Sequence, residues 1–129
     1  MVAANSQSRP TNEASLQCAT TSIATTPVAA STVSSNAGLL QRVTAAAAGT
    51  TSGTIAIAVS INNGSDVTSG LFTIPAGTGV RAGTVMEFNL IGTTNPAPFV
   101  NEGDIITFTP SGGGGASIPG AFGAVIRSI

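Results

Sequence analysis

Four branched aliphatic residues, Ile55, Ile57, Val59 and Ile61, stand at alternate positions with only Ala and Ser between them. Asn62-Asn63-Gly64-Ser65 follows at once. Successive side chains of a strand point to opposite faces, so the spacing commits this segment to a β-strand with one apolar face. A tight hairpin needs positive φ at its turn residues, and Asn-Gly tolerates it best, which makes Asn63 and Gly64 a chain reversal. The strongest local signal in the chain is therefore antiparallel β.

The rest of the sequence from Asn36 onward repeats that grammar. Leu39 to Thr44 reads as a strand before the hairpin, and Leu71 to Ile74 as its partner, stopped by Pro75. Thr84 to Ile91 places Met86, Phe88 and Leu90 on one face and Glu87 and Asn89 on the other. A proline-bearing crossover, Thr93 to Val100, leads to a second tight turn at Asn101-Glu102-Gly103-Asp104. Ile105 to Thr109 and Ala121 to Ile126 supply two more strands around a loop with four consecutive glycines. Ala45 to Ala48 has helical propensity, but Gly49 and the threonines after it leave no room to propagate a helix. Short strands punctuated by turn residues predict an all-β domain over residues 36–129, a single antiparallel β-sandwich or small barrel.

Residues 1–35 differ. They are rich in Ser, Thr and Ala, with Leu16, Ile23, Val28 and Val33 thinly spaced, and Ser22 to Val28 resembles a short edge strand ending at Pro27. A segment with so few apolar residues does not fold by itself. It is expected to be an extended arm held by neighbouring subunits, with folding back onto its own domain as the alternative. Leu16, Ile23, Val28 and Val33 are then the candidate intersubunit contacts. Phe99, beside Pro96 and Pro98, joins them as the phenylalanine least suited to the core; Phe72, Phe88, Phe108 and Phe122 all lie on predicted strands.

Charged residues make up 7% of the chain, against about 25% in an average globular protein. Arg9, Arg42, Arg81 and Arg127 account for every basic residue, and the net charge is -1. So little charge gives weak protection against self-association and suits a surface covered by partners. Scattered arginines do not make a phosphate-binding patch, so nucleic acid is not an expected partner. No apolar run approaches the roughly 20 residues that cross a bilayer, and Met1 to Pro10 lacks the basic and apolar regions of a secretory signal. Cys18 is the only cysteine, which forbids an intrachain disulfide and reads as a small, partly buried apolar residue.

Chemistry is scarce. The chain contains no histidine, and with all four basic residues being arginine it contains no lysine. Ser-His-Asp sites, Ser-Lys sites and P-loops cannot be assembled without them. Glu102 and Asp104 are spaced to share a strand face, but with Gly103 between them they read better as a structural turn, in which Asp104 binds turn amides. Gly77-Thr78-Gly79-Val80-Arg81-Ala82 has the glycine spacing of a dinucleotide fingerprint, yet a strand follows it, and a pyrophosphate needs a helix N-terminus there. Asn63-Gly64-Ser65 matches a glycosylation acceptor and reads as the hairpin turn. No catalytic, cofactor-binding or metal-ligating residue is assigned, no small-molecule substrate is expected, and the chain is read as a non-enzyme.

The run from Gly53 to Val59, then Asn63-Gly64, Leu71-Phe72-Thr73-Ile74-Pro75, Val100 to Thr109, the glycine tract and the closing Ala124-Val125-Ile126-Arg127 resemble small β-sandwich head proteins of tailed bacteriophages. The likeness is to capsid decoration, or cement, proteins and covers roughly Ala37 to Ile129. It implies a virion protein on the outside of an icosahedral shell, made in the host bacterial cytoplasm. It also implies homotrimers that bridge subunits of the major capsid protein. The alternative is a tail-fibre, spike or neck module that binds a host receptor or another virion protein.

Overall fold

The computed structural model describes residues 13–77 and 83–128. Every regular element among them is a strand: β1 (Glu13–Thr20), β2 (Ala30–Val33), β3 (Gly38–Ala47), β4 (Ile55–Ile61), β5 (Thr73–Ile74), β6 (Gly83–Glu87), β7 (Phe99–Val100), β8 (Ile105–Gly112) and β9 (Gly120–Arg127). They form two antiparallel sheets. The first runs β1-β9-β3-β6, with β7 beside the opening residues of β3, and the second runs β2-β8-β4-β5. With the two-residue β7 set aside, this is the strand order of a jelly roll, the sandwich built from two Greek keys.

The alternation seen in the sequence is what fills the space between the sheets. Ile55, Ile57 and Val59 of β4 and Ile106 and Phe108 of β8 point inward from one sheet; Leu40, Val43, Phe122, Ala124 and Ile126 meet them from the other. Phe108 and Phe122 stack across the gap with ring centroids 4.9 Å apart and planes 2° from parallel. Phe72 and Phe88 are buried as well. Pro110 sits within β8 at no cost to the ladder on its free side, because β2 covers β8 only from Ile105 to Phe108. At Gln41 a bulge shifts the register between β3 and β9.

The expected boundary at residue 35 needs correction. From Glu13 onward the supposed arm belongs to the sandwich. β1 pairs with β9 along its whole length, β2 pairs with β8, and Ile23 and Ala24 between them have no solvent exposure. Hydroxyl groups explain how so polar a stretch is accommodated. Thr20 donates its Oγ1–H to Val28 O (2.6 Å), Ser22 to Ala24 O (2.6 Å), and Ser117 donates to Ser22 Oγ (2.7 Å). Ser and Thr hydroxyls thus bond to backbone oxygens outside the ladders and to one another where this irregular stretch packs on the core. Residues 1–12 lie outside the described part of the chain.

Other boundaries shift too. Ser22 to Val28 is an irregular connection, with Thr25 at φ 65°, rather than an edge strand. The hairpin partner is regular only at Thr73–Ile74, and the strand read as ending at Ile91 ends at Glu87, leaving Leu90 exposed. Of the glycine-spaced run from Gly77, residues 78–82 lie outside the described part, and a strand, β6, follows it.

Candidate interaction surface

Two of the expected turns meet at one end of the sandwich. Asn62 and Asn63 both take positive φ (53° and 62°), and Gly64 N–H donates to Ile61 O at 3.0 Å. In the other turn Gly103 takes φ 91°, and the Asp104 carboxylate accepts Asn101 N–H at 2.8 Å. The two are clamped together. Asn62 Nδ2 donates to Asp104 Oδ1 (2.9 Å), while Asn62 Oδ1 accepts Ile105 N–H (2.9 Å). The hydrogen bond from Asn101, then that from Asn62, hold the Asp104 carboxyl below the usual carboxylate range. A carboxylate so occupied is an acceptor in a joint between turns; Glu102 beside it points into solvent.

Asp66 plays the same part in the connection after the hairpin. It accepts Val59 N–H (3.0 Å), Thr68 N–H (2.9 Å), the Thr68 hydroxyl (2.7 Å) and Gly70 N–H (3.3 Å). Partial burial pushes its pKa upward, but these donors together outweigh that and hold it low. Its partner Thr68 is fully buried, so the carboxylate completes a place where the sheet ladder is interrupted.

The outer faces of the sheets carry little that reacts and much that fits flat against a neighbour. Across the first sheet the register lines up Ala19, Ala121, Ala46 and Gly83, then Gln17, Gly123, Thr44 and Val85. A shallow hollow of ≈ 460 Å³ lies over this part of the sheet. Charge is confined to the next rows, where Arg42 faces Glu87 and Glu13 faces Arg127. On the second sheet Ser31 and Thr107 hydroxyls touch at 3.0 Å, and Val33 stands opposite Ile105. No three His, Cys, Asp or Glu side chains come together among the described residues.

The five candidate contact residues separate. Ile23 is fully buried, its N–H bonded to Ile118 O, and is a core residue rather than a contact. Leu16 lies half-buried at the margin of the core on β1. Val28 and Val33 are about half exposed, at 48% and 58%, and both belong to the segment around β2. Phe99 is 50% exposed and pairs with Leu39 on the side of β3 away from β9. Cys18 is partly buried beside Leu16, and burial pushes its thiol pKa up.

Sequence reasoning missed the most exposed large aliphatic side chain among the described residues. Ile91 is 92% exposed, in a loop pinned where Asn89 N–H bonds Asn95 O and Ala97 N–H bonds Asn89 O. The following Gly92, at φ 111°, and the Thr-Thr-Asn run were the signals that the strand had already ended. Neither a scan against protein-family models nor a search of curated proteins finds a match to this chain.

Proposed function

We propose that this chain is a virion structural protein that decorates and cements an icosahedral phage head by bridging capsid subunits. The observation that carries the reading is a jelly-roll strand order whose outer faces carry charge only as opposite-sign neighbours, Arg42 with Glu87 and Glu13 with Arg127, in two rows of the first sheet. Viral capsid proteins recur on this architecture, as do lectins and cupins, so the fold alone does not decide among them. The metal-binding cupin type depends on histidine ligands, and this chain has none. Sugar recognition favours exposed aromatic faces; Tyr and Trp are absent and Phe99 is the one exposed ring.

Mechanistically, cement acts by adding interface. Small neutral side chains desolvate cheaply, and apolar area removed from water contributes about 25 cal/mol per Å², offset by ordering costs. A weak contact repeated at many symmetry-related sites gains avidity from high local concentration. The grip is assigned to the exposed apolar positions Val28, Val33, Leu90, Ile91 and Phe99, in place of an arm ending at residue 35. Mixing purified protein with undecorated shells should give saturable binding and raise the temperature at which the shells rupture. Binding to host cells without binding to shells would instead favour the receptor-binding alternative.

A further inference from the structure

We infer that the free edge of β1 is a self-association site, at which two copies of this chain pair their β1 strands antiparallel about a two-fold axis at Gln17. The inference concerns the protein in solution and does not rest on the decoration reading.

Sheet edges expose unpaired N–H and C=O groups, and monomeric proteins guard them with charge, proline, bulges or brevity. Most edges here are brief: β2 has four residues, β5 two, and β6 and β7 share theirs as segments of five and two. β1 is the exception. It has eight residues, pairs with β9 in unbroken register, and has no strand on its other side among the described residues. From Ala14 to Thr20 it contains no charge, no proline and no glycine. In place of a guard it has a margin of half-buried apolar side chains, Leu16 and Cys18, which reach the core but are not closed over.

The strand is suited to its own copy. Ala14, Leu16, Cys18 and Thr20 face the core, and Ser15, Gln17 and Ala19 face outward. Paired residues in an antiparallel ladder share a face, so self-pairing must match inward with inward. An axis at Gln17 does so over Ala14 to Thr20. Leu16 then lies against Cys18 of the second copy, so that each copy covers the other's open apolar margin. Outside, Ser15 meets Ala19, and the two Gln17 amides, each both donor and acceptor, meet at the axis. Glu13, the one charge on the strand, stays beyond the paired stretch beside its own Arg127. The product is one continuous sheet, β6-β3-β9-β1 followed by the same strands in reverse. Such an edge contact is smaller than the roughly 1,200–2,000 Å² of a standard interface, so the dimer belongs to high protein concentration.

Full-length protein examined by sedimentation should show a concentration-dependent dimer. Gln17→Lys and Gln17→Glu each put like charges opposite one another at the axis, on an outward position that folding does not require. Each variant alone should be monomeric, and an equimolar mixture should dimerise. In a Cys18→Ala background, oxidised Gln17→Cys should form a disulfide-linked dimer, whereas Ser15→Cys, whose symmetry mate is displaced along the strand, should not. Wild-type protein that stays monomeric up to about 1 mM, a mixture no more associated than its parts, or equal crosslinking at both positions would overturn the proposal. Shell binding by a strictly monomeric protein would leave the decoration reading standing, so the two fail separately.

Discussion

Single residues in this protein settle matters that composition leaves open, and Asp66 is the best example. Its carboxylate serves two backbone amides within ordinary distance, a third at 3.3 Å, and the hydroxyl of a fully buried threonine. Asp66→Ala should destabilise the fold by about 1–3 kcal/mol, because Thr68 loses its acceptor where water cannot replace it. Chemical denaturation would register this as a lower midpoint at unchanged slope. The pH dependence has a definite sign. Asp66 and Asp104 both have folded-state pKa values held below the ordinary carboxylate range, so the unfolded chain binds their protons first. Their contribution is present above about pH 4 and is lost as pH falls through the lower folded values. Stability curves of the wild type should drop on acidification below that point, and the drop should be smaller in Asp66→Asn. Gly120 makes a steric counterpart. A Cβ there would lie 2.6 Å from Ile23 Cδ1 and 3.1 Å from Ala46 O. Gly120→Ala should therefore cost about 1–3 kcal/mol through overpacking, measurable in the same denaturation experiment.

At the scale of elements, what was legible in the sequence was the part that obeys a strict period of two. β4 and β9, with the inward residues of β8, are found where alternation of large apolar residues puts them. β1 was not legible, because its inward positions are Ala14, Leu16, Cys18 and Thr20, which barely contrast with Ser15, Gln17 and Ala19 outside. An edge strand needs less apolar surface, since its neighbour covers it on one side and the opposite sheet covers it only in part. β2 was hidden similarly: of Ala30, Ser31, Thr32 and Val33, only Ala30 is buried. Leu90 failed for the opposite reason, since a correct phase was extended past the point where the chain left the sheet. Truncation separates the corrected account from the one read off composition. Removing residues 1–12 should leave a cooperatively folding protein by thermal or chemical denaturation, since all nine described strands are retained. Removing residues 1–35 should not, since it deletes both β1 and β2 and takes Ile23 out of the core. A well-folded product of the longer deletion would contradict the placement of these strands.

For the molecule as a whole, the reading rests on what the jelly roll leaves on its surface. The sandwich takes most of the strong apolar residues inside, and its described exterior, apart from eight exposed large apolar side chains such as Val33, Ile91 and Phe99, is small, hydroxylated and almost neutral. Such a surface has few groups with which to do chemistry and few charges with which to repel copies of itself. The candidate contacts were only partly legible for the same reason. Val28, Val33 and Phe99 could be picked out as apolar residues in unpromising strand contexts, whereas Ile23 looked no different from them until its burial was known. The proposed association at the β1 edge and the proposed attachment to a shell both draw on that surface. The most direct test is a reconstruction of the native particle by cryo-electron microscopy, with this chain identified by the fit of its two sheets. The account predicts sandwich-sized density on the outer surface of the head, repeated at symmetry-related positions between capsid subunits. Finding the chain only in the tail or neck, or missing from the particle altogether, would contradict it.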